Sequence, residues 1–189
     1  TGLDWAEPML ERAKAKAKHR NRSITFRMGD AENTMEPDAA HDVIINRHLV
    51  WTLVDPRAAF QEWLRVLKPG GSVLIVDGDF VNVSLAEKLL KKLADKLLKL
   101  GVLKPEPVHM PSDMAGTHNS ILSRVYFSKG ARAEAVAALL REAGFEDVVI
   151  DTDLREIHKT QAKNWNILKA TARGIQPRYA IHARRLTSG

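Results

Sequence analysis

The amino-acid sequence predicts an α/β protein built on a doubly wound, mostly parallel sheet, and three observations carry that reading. Over the first 79 residues short apolar runs alternate with amphipathic stretches of helical period, the order that a parallel sheet with helices on both faces requires. The chain opens on Thr1-Gly2-Leu3-Asp4-Trp5, an acid at the carboxyl end of a short strand just before a helix. In such folds ligands lie at the carboxyl ends of strands, and an acid after the second strand holds a nucleotide ribose. None of the 11 glycines forms a G-x-G pair, so the glycine loop that follows the first strand of these folds is missing. The sequence therefore reads from the second strand onward, with the first strand and its glycine loop absent.

Each element follows from its own residues. Pro8 suits a first helical turn and Glu7 its positive end; Met9, Leu10, Ala13 and Ala17 form an apolar stripe. Residues 23–28 alternate like a strand and end at Gly29-Asp30. Asp42-Val43-Ile44-Ile45-Asn46 is short and almost wholly apolar, as a strand buried on both faces would be. Asp55-Pro56 starts a helix with Phe60, Trp63, Leu64 and Leu67 on one face, and Lys68-Pro69-Gly70-Gly71 stops it. Ser72 to Asp77 is a second buried strand. Ser84 and Glu87 form a capping box for a helix with Leu85, Leu89, Leu90, Leu93, Leu97 and Leu98 inward, and Gly101 lies where a C-terminal cap belongs. Residues 102–120, with three prolines, read as a loop. A helix over about 131–143 ends at Gly144, and strands follow at 145–151 and 178–183.

The chain of 189 residues, 44% hydrophobic and 28% charged, is expected to form a single domain over 1–189. The absence of cysteine excludes a disulfide framework and a thiolate metal site, and fits a cytoplasmic protein. No apolar run approaches a membrane span, and no secretory signal opens the chain. Much of the net charge of +6 sits on Lys88, Lys91, Lys92, Lys96, Lys99 and Lys104. A single lysine-rich helix reads first as a solvated face. Nucleic acid as a partner is disfavoured, because no recognised binding motif accompanies the charge.

Read in order, Gly2-Leu3-Asp4 with Pro8-Met9-Leu10, Gly29-Asp30-Ala31-Glu32, Asp42 to Asn46, Trp51 to Pro56 and Trp63 to Gly71 resemble the class I S-adenosylmethionine-dependent methyltransferases. The likeness is closest to the small-molecule branch that contains the quinone-biosynthesis enzymes, and covers residues 1–79 closely and the rest in outline. It implies a Rossmann-like sheet whose last strand is antiparallel, S-adenosyl-L-methionine as cofactor, and methyl transfer to a small organic acceptor. It also implies that a strand, glycine loop and helix, on the order of 30 residues by the size of a βαβ unit, belong before Thr1. Without them, the expectation is that this chain binds cofactor weakly or not at all. A methyltransferase-like scaffold or partner subunit without catalysis is the alternative. A nicotinamide dehydrogenase would explain Asp4 but not the later motifs.

The same resemblance assigns roles. Asp4 would accept hydrogen bonds from both ribose hydroxyls, a helix cap being the other reading. Trp5 would flank the adenine or pack in the core. Asp30 would accept from the adenine amino group, with the Ala31 amide on a ring nitrogen, or else simply make a turn. Asn46, Arg47 and His48 would line the methionine portion, and His48 is a candidate general base because its reference pKa lies near working pH. Asp77 and Asp79 end the next strand, where substrate contacts or a turn are expected. The segment 83–128 would be an inserted substrate cover, with His109, His118 and Tyr126 among its pocket residues. The spacing of His109 and His118 matches no metal pattern. The lysine-rich helix also allows contact with an anionic membrane surface, opposed by the need for its leucines to attach the helix to the domain. The sequence does not fix the acceptor, the atom methylated or the oligomeric state.

Overall fold

A computed structural model describes residues 1–82, 84–102, 124–162, 171 and 174–187 of the chain. Strand β1 (Gly2–Asp4) enters helix α1 (Glu7–His19) and returns as strand β2 (Phe26–Met28), parallel to β1. Pro8 stands in the first turn of α1, Glu7 at its positive end, and Lys16, Lys18 and His19 at its negative end. Leu10 and Ala17 are buried, whereas Met9 is half exposed, so the apolar stripe is narrower than its sequence promised.

Strand β3 (His41–Arg47), one 3₁₀ turn (Val50–Thr52), helix α2 (Pro56–Val66) and strand β4 (Leu67–Gly78) follow. The Asp55 carboxylate caps α2 by accepting the amides of Arg57 and Ala58, both at 3.0 Å. At the other end the Arg185 guanidinium donates to the carbonyls of Leu64, Arg65 and Leu67 at 2.9, 3.1 and 2.6 Å, satisfying oxygens that a helix terminus leaves over. The chain enters β4 at Leu67, and Gly70 takes φ +78° inside that strand. Helix α3 (Leu85–Lys99), helix α4 (Ala133–Ala143), strand β5 (Glu146–Asp151), helix α5 (Arg155–Ala162) and strand β6 (Arg178–Arg184) complete the described elements. Gly144 closes α4 in the left-handed region at φ +102°. Helix α5 lies outside the elements that the sequence predicts.

The strands form two groups. One holds β1 and β2, the other runs β3-β4-β6-β5, with β3 parallel to β4 and β6 antiparallel to both β4 and β5. The main core lies on one face of the larger sheet, where Phe60 and Trp63 of α2, Val136 and Leu140 of α4, and Val73, Ile75 and Ile181 of the strands are all buried. The opposite face is bare at Val43, Ile45 and Val149.

That bareness corrects the reading of residues 42–46 as a strand buried on both faces. Val43 is 54% exposed and Ile45 70% exposed, because β3 forms the rim of its sheet among the described residues. β1 is the corresponding rim of the smaller sheet. Gly2 donates to Thr25 and Asp4 accepts from Gly29, both on the β2 side, so strand alternation turns the Leu3 backbone groups the other way. His48 donates to Val76 of β4, and alternation likewise turns the backbone of Ile45 and Arg47 away from β4. The two rims thus border one seam, and no strand among the described residues fills it.

The leucine face of α3 also departs from expectation. Leu90, Ala94 and Leu97 are its partly buried apolar residues among those described, whereas Leu85, Leu89 and Leu93 face outward. Ser84 does cap the helix, accepting the Glu87 amide at 3.1 Å. The Glu87 carboxylate accepts from Gln176 instead of closing the box. Gly101, at φ +73°, ends the helix as its position foretold.

Candidate functional site

The carboxyl ends of β1 and β3 open into one cleft of about 440 Å³. Its floor is the seam, bordered by Gly2, Leu3, Val43 and Ile45. Its mouth brings Asp4, Ala31, Asn46, Arg47 and His48 together, five of the residues that the sequence nominated from separate motifs. The topology explains the convergence, since each lies at, or shortly after, the carboxyl end of a parallel strand.

Asp4 uses one carboxylate oxygen to accept the Ala6 amide at 2.8 Å, a turn ahead of α1, and does not cap the helix, whose N-cap Ala6 receives no side-chain bond; the side chain lines the cleft. Ala31 is fixed by Trp63, whose indole nitrogen donates to the Ala31 carbonyl at 2.8 Å. Asp30 turns the chain by accepting the Glu32 amide at 2.9 Å, and is exposed outside the cleft lining. The Glu32 carboxylate braces the start of α2, receiving the amides of Val54 and Asp55 at 2.6 and 3.1 Å. Trp5 is 74% exposed, which rules out core packing, and it lies outside the lining.

At the end of β3 the Asn46 amide is buried with neither its nitrogen nor its oxygen hydrogen-bonded. An unsatisfied buried amide is costly, and a polar ligand in the cleft would relieve that cost. His48 follows with φ +56°. Its ring meets Phe80 edge-on at 5.2 Å, and its Nδ1 lies 4.0 Å from the Asp77 carboxylate. Asp77 is fully buried at the end of β4 and accepts the amides of Val50 and Gly78, each at 2.8 Å. Burial pushes its carboxyl up to about 6 against the pull of those amides. Tyr179, opposite Asp77 on β6, is pushed up by burial and by the neighbouring acids.

Asp79 is buried and makes a turn, accepting the amides of Val81 and Asn82 at 3.2 and 3.1 Å and the Asn82 side chain at 2.7 Å. Tyr126 is half exposed, takes a hydrogen bond from Arg57 at 3.2 Å, and does not line the cleft. His109 and His118 lie outside the described residues, as does much of the segment 83–128. No cluster of metal-ligating side chains occurs among the described residues. Sequence reasoning missed Thr34, Glu36 and Trp63 as lining residues. Trp63 carried a signal, an indole on the helix facing the Asp30-Ala31 turn, but its helical spacing assigned it to the core alone.

Residues 1–75 match the family of methyltransferase domains. The ubiquinone/menaquinone biosynthesis C-methyltransferase of Bdellovibrio bacteriovorus is 32% identical over 102 residues, covering 53% of this chain and 43% of that protein. The demethylmenaquinone methyltransferase of Staphylococcus haemolyticus is 39% identical over 77 residues, covering 41% of this chain and 32% of that protein. The chain thus matches less than half the length of these relatives. Among solved structures, a phosphoethanolamine N-methyltransferase of Haemonchus contortus in complex with S-adenosyl-L-methionine superposes with a TM-score of 0.60 over 99% of this chain and 43% of that one, at 16% identity. That likeness shows the mixed α/β fold.

Proposed function

We propose that this chain, whose residues 1–75 match the methyltransferase-domain family, serves S-adenosylmethionine-dependent methyl transfer to a small organic acceptor. The observation that carries the reading is the meeting of Asp4, Ala31 and the unsatisfied Asn46 amide in one cleft at the strand ends. These groups fit a nucleoside. A carboxylate matches two adjacent ribose hydroxyls, the turn at Ala31 lies beside it for an adenine edge, and Asn46 offers both a donor and an acceptor. The cofactor supplies an activated methyl group on a sulfonium. The protein's part is to hold the acceptor in line and keep water out. His48, next to the Asp77 carboxylate, is the group placed to accept a proton from a hydroxyl or amine acceptor. Menaquinone-type and phosphoethanolamine acceptors occur in the names of the relatives; a small organic acceptor is the class they share. The chain has its action as a soluble, cytoplasmic enzyme in this reading, and among the described residues no helix is long and apolar enough to cross a membrane.

The test is a titration with S-adenosylhomocysteine followed by amide NMR. Weak binding with shifts confined to the turns after Asp4, Ala31 and Asn46, abolished by Asp4→Ala, supports the proposal. Shifts that leave those turns untouched, or none at millimolar ligand on the order of the weakest ordinary affinities, reject it.

A further inference from the structure

We infer that helix α3 is a docking surface for an anionic lipid bilayer. Its attachment to the domain uses a limited face: Leu90, Ala94 and Leu97 pack inward, and the Glu87 carboxylate is held by Gln176 at 2.8 Å, which is in turn bonded to Arg178 of β6. Other leucines of the helix are left over from that attachment. Leu85 is 79% exposed and Leu89 67% exposed, and Leu93 and Leu100 continue the same line along the helix. Steps of four, four and seven residues set these four side chains along one side of the helix, with Leu100 at its C-cap.

Lys88, Lys92, Lys96 and Lys99 are exposed and form the ridge next to that stripe. A helix with an outward leucine line bordered by lysines suits the plane of a lipid interface, where leucines enter the acyl boundary and lysine stems extend to head groups. The charge decides between occupants. A second copy packed leucine to leucine would press Lys96, which helical spacing sets between Leu93 and Leu100, into the apolar contact, whereas anionic head groups neutralise the lysines. The inference stands apart from methyl transfer and neither supports nor requires it.

Flotation of the full chain with vesicles of phosphatidylcholine, with and without phosphatidylglycerol, tests it. The protein is expected to float with the anionic vesicles at low salt, to detach as salt rises, and to ignore phosphatidylcholine alone. Leu85→Glu with Leu89→Glu should abolish flotation while the circular dichroism spectrum is unchanged, and Lys88→Glu with Lys92→Glu should weaken it on the order of tenfold or more. Val149→Glu, on the bare sheet face, should float as the parent does. Absence of flotation overturns the inference, and so does flotation that survives the leucine changes. Leucine-dependent dimers in sedimentation equilibrium without lipid binding would overturn it in favour of a second copy.

Discussion

The Asp77 carboxylate receives the Val50 amide at 2.8 Å, tying the end of β4 to the first residue of the 3₁₀ turn that follows His48. One buried acid thus fixes the loop on which the candidate base stands. Its ordinary pKa of 3.8 is raised to about 6 by burial, so between those pH values the native state holds a proton that the unfolded chain has released. The stability this group contributes is full below about pH 4 and is lost as pH rises through 6. Asp77→Asn should flatten that part of the stability profile, as read by urea denaturation at a series of pH values. Asp77→Ala should cost about 1–3 kcal/mol by leaving the Val50 and Gly78 amides buried and unpaired. A profile with the same slope in Asp77→Asn would remove the role given to this acid.

Glu62 runs the other way. The Arg65 guanidinium beside it, aided by the hydroxyl and amide of Thr34, holds its carboxyl down to about 2 from 4.5. Its contribution is present above about pH 4.5 and disappears as pH falls toward 2. Glu62→Gln should therefore lose stability at neutral pH and converge with the parent in acid. It should also loosen residues 34–38, since Arg65 holds the Glu36 carbonyl at 2.8 Å and the Asp38 carboxylate. Faster amide exchange at Thr34 in this variant is the check.

Much of this site was legible because parallel strands gather their carboxyl ends, so that motifs far apart in sequence meet wherever the sheet is recognised. Asp4, Ala31 and Asn46 came together for that reason. What failed depended on burial, which periodicity leaves open. Val43 and Ile45 have the composition of an interior strand, yet a rim strand with nothing beside it exposes them. The α3 leucines cover more than half the helix circumference, and sequence alone does not show which part of so wide a face the domain uses. Asp79 and Asp30 suit a ligand or a turn equally by position, and local amides claimed both because Asp bonds its own backbone two residues on.

Gly130 is held at φ +109°, and a Cβ there would run into both the Asp79 carboxylate and the Asn82 side chain. Those groups are committed to the turn after β4 and to the Lys129 carbonyl, so they have little freedom to retreat. Gly130→Ala should destabilise by about 1–3 kcal/mol. The cost should shrink in an Asp79→Ala background, because part of it is the clash with that side chain. Equal costs in both backgrounds would leave backbone strain as the whole cause.

The seam between β1 and β3 sets the last expectation. Both rims turn backbone donors and acceptors toward it, both run parallel to their inner neighbours, and the exposed Val43 and Ile45 stand on the adjoining sheet face. An open pair of apolar rims is an aggregation hazard, and each backbone group left without a partner when dry costs stability. A strand with a crossover helix, joined ahead of Thr1, would pair with β1 and β3 at once and cover Ile45, merging the two sheets into one. Such a version is expected to melt at a higher temperature, to protect the Leu3 and Ile45 amides from exchange, and to bind S-adenosylhomocysteine more tightly than the present chain, because a loop leaving the new strand would reach the cleft mouth beside Asp4. Calorimetry on the two proteins measures the last of these. Equal and tight binding by the shorter chain would mean that Asp4, Ala31 and Asn46 suffice to hold the ligand, and that the seam bears on stability alone.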